Sequence, residues 1–155
     1  YITTRGRWYL QSWKGLDEKS GGIATNIGVH FFDMLHYLFG KVEANIVHLK
    51  TPTRASGCIE YERATVSWFL SLELDDVPEA QKMLGQRTWR SITIDGNEIE
   101  FSDGFTDLHT RSYEKILAGD GFGLDENLCA ISTVSEIRRS EISNTGVKHP
   151  FLRAP

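Results

Sequence analysis

Gly21-Gly22-Ile23-Ala24-Thr25-Asn26-Ile27-Gly28-Val29-His30-Phe31-Phe32-Asp33 is the stretch from which the rest of the chain can be read. A glycine pair opens an apolar run, and within it an amide and an imidazole lie four residues apart. In a helix such positions share a face, one turn apart. Asn26 and His30 are therefore expected to point to one place near the helix's amino end. Gly22 and Gly28 remove side chains where something approaches the backbone closely. The pattern predicts a helix over residues 25–39, with Thr25 as its cap and Gly40 as its stop. Ile27, Phe31, Met34, Leu35 and Leu38 leave one apolar stripe on it, and that stripe needs a sheet to bury it.

Strand signals lie on both sides. Residues 1–10 alternate, with Ile2, Trp8 and Leu10 on one side and Tyr1, Arg5, Arg7 and Tyr9 on the other. Residues 11–22 read as a polar loop and 42–50 as a strand. The clearest strands are 58–62 and 64–74, where Val66, Trp68, Leu70, Leu72 and Leu74 alternate with Thr65, Ser67, Ser71 and Glu73. Residues 75–88 read as a charged loop. Ser91–Ile94, Asp95-Gly96 and residues 97–101 read as a hairpin with a primed turn. A helix over 106–118 turns Leu108, Ser112, Tyr113, Ile116 and Leu117 inward. Another, over 125–139 and capped by Asp125, turns Leu128, Ile131, Val134 and Ile137 inward. The tail from Ser143, polar and with two prolines, reads as an extended edge or arm. Together these predict an α+β domain: a mostly antiparallel open sheet with helices packed on one face. The other sheet face is moderately apolar and suits a partner subunit.

The chain has 155 residues, enough for one domain with a substantial core. A formal net charge of −4 argues against a nucleic-acid footprint. No apolar run reaches membrane-spanning length. Cys58 and Cys129 lack framework or metal spacing, which reads as reduced thiols in a cytoplasmic protein. The abrupt start, without an initiating Met, reads as a piece of something longer. No dinucleotide fingerprint, Walker loop or nucleophile elbow occurs.

His30 is the leading catalytic candidate, because an imidazole titrates near neutrality and can move or orient a proton. The plain alternative is a satisfied core histidine. Asn26 can hold a sugar hydroxyl or a carboxamide, or simply cap the helix. His30, Asp33 and His36 do not make a metal site, since His36 is rotated away and no second ligand pair is evident. Arg5, Arg7 and Tyr9 on one strand face would suit an anionic, planar ligand; a solvated strand face is the alternative. Lys14 and Lys19 could close over phosphate or carboxylate, or belong to an ordinary surface loop. Gly119-Asp120-Gly121-Phe122-Gly123 reads as a connector between helices rather than an anion nest.

The segment Gly21-Gly22-x-x-x-Asn26-x-Gly28-x-His30-x-x-Asp33 resembles the signature of the Gfo/Idh/MocA oxidoreductases, in their carboxy-terminal, sheet-containing domain. Trp13-Lys14-Gly15, Lys19–Gly28, Glu60–Ala64, Trp68–Ser71 and Phe105-Thr106-Asp107-Leu108-His109-Thr110 are similar to one subgroup, the UDP-N-acetylglucosaminuronate 3-dehydrogenases of bacterial lipopolysaccharide and O-antigen synthesis. The resemblance implies NAD, bound in an amino-terminal Rossmann domain that this chain lacks, and a lysine contributed by that domain. It also implies hydride transfer from C3 of the sugar, with His30 taking the hydroxyl proton and Asn26 holding a hydroxyl. Many members carry aspartate where this chain has Asn26, and an amide cannot act as a carboxylate base. Arg5, Arg7, Tyr9, Lys14 and Lys19 become candidates for the uronate carboxylate and the diphosphate. The implied partners are a UDP-linked amino-sugar uronate and further copies of the chain, joined through the sheet face, with no nucleic acid and no membrane. Two other readings stay open: an NAD-using glycosidase or epimerase on the same scaffold, and a non-catalytic oligomerisation or sugar-nucleotide binding module.

Overall fold

The computed structural model describes residues 1–104 and 106–152. Phe105 of the resemblance string and Pro155 of the tail lie outside them. The elements run β1 (Ile2–Thr3), α1 (Arg7–Gln11), a 3-10 turn (Trp13–Gly15), α2 (Asp17–Ser20), a π-helical segment (Ala24–Gly28) leading directly into α3 (Val29–Phe39), β2 (Val42–Lys50), β3 (Arg54–Tyr61) and β4 (Ala64–Ser71). A 3-10 turn (Leu74–Asp76), α4 (Glu79–Met83), β5 (Thr88–Trp89), β6 (Ser91–Ile94), β7 (Asn97–Glu100), α5 (Leu108–Leu117) and α6 (Leu124–Arg139) follow. Five strands form a sheet in the order β2-β3-β4-β1-β5, antiparallel throughout except for β1 beside β4. The expected α+β architecture is present.

One close approach sets the helix on the sheet. Phe32 is fully buried and meets Trp68 of β4 edge-on, ring centroids 5.2 Å apart at 84°, an arrangement that the ring quadrupoles favour. A Cβ on Gly28 would come within 2.8 Å of both Leu70 Cδ1 and the Phe32 ring. What approaches Gly28 is therefore the sheet, not a ligand. Ile27, Phe31, Phe32 and Leu35 join Ile59, Trp68 and Leu70 in the core, and Val134 and Ile137 of α6 close it from the side.

The other sheet face is partly covered by the chain itself. Ser143 N–H donates to Val47 O at 2.8 Å, and the His48 ring bonds Thr145 O at 2.7 Å. Farther along the arm, His149 stacks on Phe69 with centroids 5.6 Å apart, and Phe151 meets both rings edge-on. The tail, expected as an extended edge or arm, thus pairs with the edge strand β2, where Ile142 bridges Val47 in parallel, and then covers part of the second face. Where β3 begins and β4 ends, Arg54 forks onto Asp76 at 2.6 and 2.9 Å and reaches Glu73 at 2.8 Å. Ser71 Oγ donates to Asp76 as well. This network pins the turn that follows β4.

Several expectations need correcting. Residues 1–10 are a strand only at Ile2–Thr3; Arg7–Gln11 is helical. Tyr9 is buried there while Trp8 and Leu10 are exposed, the reverse of the strand reading. The alternation of 64–74 ends at Ser71, and Leu74 lies exposed in a 3-10 turn. The 11–22 and 75–88 loops contain short helical turns. Gly123, not Asp125, precedes α6, and no side chain caps it. Asp125 and Glu126 sit in the first turn, where the helix dipole favours negative charge. The buried face of α6 is Ala130, Thr133, Val134 and Ile137, with Leu128 and Ile131 exposed. The stripe on α5 points outward: Leu108, Tyr113, Ile116 and Leu117 are all exposed. Amphipathic spacing gives the existence of a stripe, not the surface that covers it. The hairpin is as expected, with Ile94 opposite Asn97 and positive φ at Asp95 and Gly96.

Two outcomes are expected. Gly28→Ala forces the helix off β4 and costs about 1–3 kcal/mol, read as a lower urea midpoint; an unchanged midpoint contradicts the packing described. Burial lowers the His149 pKa to about 4, below the value of about 6.5 in an unfolded chain. The fold thus favours neutral His149, so this stability is present above pH 6.5 and is lost as pH falls toward 4. Between pH 7 and 4.5 the parent should lose more stability than His149→Phe.

Candidate functional site

Two left-handed glycines begin the site. Gly21 (φ 77°) ends α2 and Gly22 (φ 74°) follows at once, a pair of conformations that side chains disfavour. The next helix therefore starts immediately, at Gly22. Its first turns are tied back to those glycines: Thr25 Oγ1 donates to Gly21 O at 2.9 Å, and Asn26 Nδ2 to Gly22 O at 3.2 Å. Thr25 is thus inside the helix and gives a hydrogen bond to a carbonyl, so the expected cap is corrected. Ala24–Gly28 widens into a π turn, a distortion frequent near functional sites. Asn26 is half-buried and His30 exposed.

His30 borders a cleft of about 730 Å³. Phe31, Asp33 and Met34 of α3 form one wall, and Asp107, Leu108, His109 and Thr110 at the start of α5 form another. Tyr1, Arg90 and Phe101 complete it. Arg90 lies over the Tyr1 ring, 4.9 Å from its centroid, and its Nη1 donates to Ser102 O at 3.1 Å. The cleft thus combines aromatic walls with donors and acceptors of both charges, a composition that suits a sugar carrying ionised groups. A second groove of about 680 Å³ between β4 and the β6–β7 hairpin contains none of the site residues read from the sequence.

The structure brings His30 and Asp33 to the cleft but not Asn26, Arg5, Arg7, Tyr9, Lys14 or Lys19. Arg5, Arg7 and Lys19 are exposed on the segment leading to the glycine pair. Lys14 Nζ lies 5.8 Å from the ring centroids of both Trp8 and Trp13, each about half exposed, so this cation sits on an aromatic ledge. Tyr9 packs beneath, 5.9 Å from Trp8. Burial raises its phenol pKa, against the opposing charge of Arg5. His36 turns to Tyr61, centroids 5.9 Å apart. Sequence reasoning missed Arg90, which falls between two short strands. It gave no role to His109 and Thr110, although the resemblance string contained both.

Residues 1–73 match the C-terminal alpha/beta domain of the Gfo/Idh/MocA oxidoreductase family. The structure is also similar to the WlbA (WbpB) dehydrogenase from Thermus thermophilus, crystallised with NAD and alpha-ketoglutarate. That match has 52% identity and a TM-score of 0.93, over 97% of this chain and 50% of the other. The same enzyme crystallised with NAD and UDP-GlcNAcA gives 51% identity and a TM-score of 0.93, over 97% and 49%. The chain belongs to the Gfo/Idh/MocA oxidoreductases and carries their C-terminal alpha/beta domain. It spans about half the length of these dehydrogenases. The described residues do not themselves fit a dinucleotide, because their one parallel strand pair, Ile2 opposite Ser71, is followed by no glycine-rich turn into a helix.

Asn26→Ala should loosen the helix entry by about 0.5–1.5 kcal/mol through loss of the bond to Gly22 O. Faster amide exchange at residues 24–27 would report it; unchanged exchange would remove this structural role.

Proposed function

We propose that the whole protein is an NAD-dependent dehydrogenase that oxidises the sugar 3-hydroxyl of UDP-N-acetylglucosaminuronic acid to a 3-keto sugar nucleotide. This chain is its substrate domain. One observation carries the reading. His30, the imidazole in the family signature, borders the cleft on a scaffold that matches, at 51% identity, a dehydrogenase crystallised with NAD and UDP-GlcNAcA.

In this reading NAD, held outside the described residues, accepts the hydride. His30 takes the proton of the 3-hydroxyl, a task suited to an imidazole held at the cleft's rim. Phe31, Met34 and Phe101 give the cleft beside it apolar walls. Asn26 holds a sugar hydroxyl, exchanging its weak bond to Gly22 O for it. Arg5, Arg7, Lys14 and Lys19 are cations for the diphosphate and the carboxylate, and Tyr9 supports them as packing beneath Trp8. A 3-keto sugar nucleotide suits a following amination, which fits a place in lipopolysaccharide and O-antigen synthesis in the cytoplasm. No helix among the described residues is long and apolar enough to cross a membrane. A homo-oligomer joined through the sheet face belongs to the same reading, with Thr65 and Ser67 on the part of that face bordering the open groove.

The test is NADH formation by the full-length protein with NAD and this substrate, followed by absorbance. Turnover is expected, with His30→Ala lowering kcat by roughly 10²–10⁴-fold and the 155-residue chain alone inactive. An inactive full-length protein, or a fully active His30→Ala variant, overturns the assignment.

A further inference from the structure

We infer that the groove between β4 and β6 seats an extended strand, and that its occupant is the segment preceding Tyr1 in the full-length protein. The inference rests on the chain spanning about half the length of the dehydrogenases it matches, and not on which sugar is oxidised.

The groove is bounded by two sheet edges. β1 is short, and it pairs in parallel with β4 at Ser71 and antiparallel with β5 at Thr88 and Trp89. Tyr1 N donates to Phe69 O at 2.9 Å, and Ser71 N to Tyr1 O at 3.1 Å. Beyond Tyr1, among the described residues, no strand lies between β4 and β6. In an antiparallel ladder a residue turns its N–H and C=O to one side, and its neighbours turn theirs to the other. Leu72 N bonds Thr53 O and Phe101 N bonds Arg90 O, which sets the phase on each side. Trp68 therefore turns to β3 and Ile92 to β7, while Ser67 and Phe69 face the groove from one side and Ser91 and Thr93 from the other. Such edges recruit a further strand.

The register says which strand. β6 continues β5 after Arg90. Carried upstream, the two pairings of β1 set the first residue before Tyr1 beside Phe69 and Ser91, and the fourth beside Val66 and Ile94. The groove, of about 680 Å³, is lined along that whole run, by 66–69 on one side and 91–94 on the other. About four residues, roughly 13 Å of extended chain, would join both sheets into one. A segment bonded to Tyr1 enters this register already aligned, whereas a strand from another copy must first give up its translational freedom.

The lining also fixes the occupant's chemistry. Directly opposed side chains share a sheet face. The second and fourth positions lie with Trp68 and Val66, on the face where Phe39 and Ile92 pack on the core, and need apolar side chains. The first and third lie with Phe69 and Ser67, on the face that the arm crosses at His149. The strand then leads directly into Tyr1, which borders the cleft of His30. The other half of the protein is thereby anchored at the cleft's wall.

The experiment uses the full-length protein in a Cys129→Ser background, with a cysteine placed at the second residue before Tyr1 and Ile92→Cys. These two positions form a pair that exchanges no ladder hydrogen bonds, so their Cβ atoms lie within disulfide reach. After oxidation, mass spectrometry should find the two cysteines joined within one chain. A disulfide between two copies gives the groove to a second copy, and the absence of any disulfide leaves it without this strand; either result overturns the inference. The unaltered full-length protein supplies a readout that no substitution can disturb. Its Ser67, Phe69 and Thr93 amides should exchange at least about 10²-fold slower than those of an unstructured segment, and exchange at the unstructured rate overturns the inference as well. NADH formation tests the dehydrogenase reading separately, and its absence would leave both of these results standing.

Discussion

The contact between Gly28 and β4 is the constraint on which the rest depends. A glycine there lets the backbone of the π segment lie against Leu70 while the Phe32 ring folds onto Trp68. Interiors are close-packed and transmit small displacements, so this contact fixes the roll of α3 about its axis. The roll sends Phe31, Phe32 and Leu35 into the core and leaves His30 at the rim of the cleft. A helix rotated by one residue would bury the imidazole and expose a phenylalanine.

The glycine pair does a different job from Gly28. Its two left-handed residues let α2 end and the next helix begin without an intervening loop. The exposed cations of residues 5–19 are thereby held close in sequence to the helix that carries His30. Hydrogen bonds from Thr25 and Asn26 back to the glycine carbonyls secure the junction. At the C-terminal end of β4, the Arg54–Asp76–Glu73 network fixes the turn that leads to β5 and Arg90.

The cleft assembles from places far apart in the chain. α3 supplies the imidazole, the β5–β6 junction supplies Arg90, and the start of α5 supplies His109. The remainder of α5 exposes an apolar stripe, and α6 exposes Leu124, Leu128 and Ile131 beyond its packed face.

The sequence alone determined the helix with its glycine-spaced signature, strands β2 to β4 and the Asp95-Gly96 hairpin, and it singled out the His30 imidazole that borders the cleft. Each is local: a period of two or 3.6, a turn dipeptide, or a motif within fourteen residues leaves its mark on neighbouring positions. Tertiary structure decided the rest. Arg7–Gln11 alternates like a strand yet is helical, because burying Tyr9 against the core outweighs local preference. Which side of α6 is buried depended on where β2 and α3 lie. Arg90 carries no local pattern, and His109, although part of the resemblance string, is brought to His30 only by the folding of distant segments around one cleft.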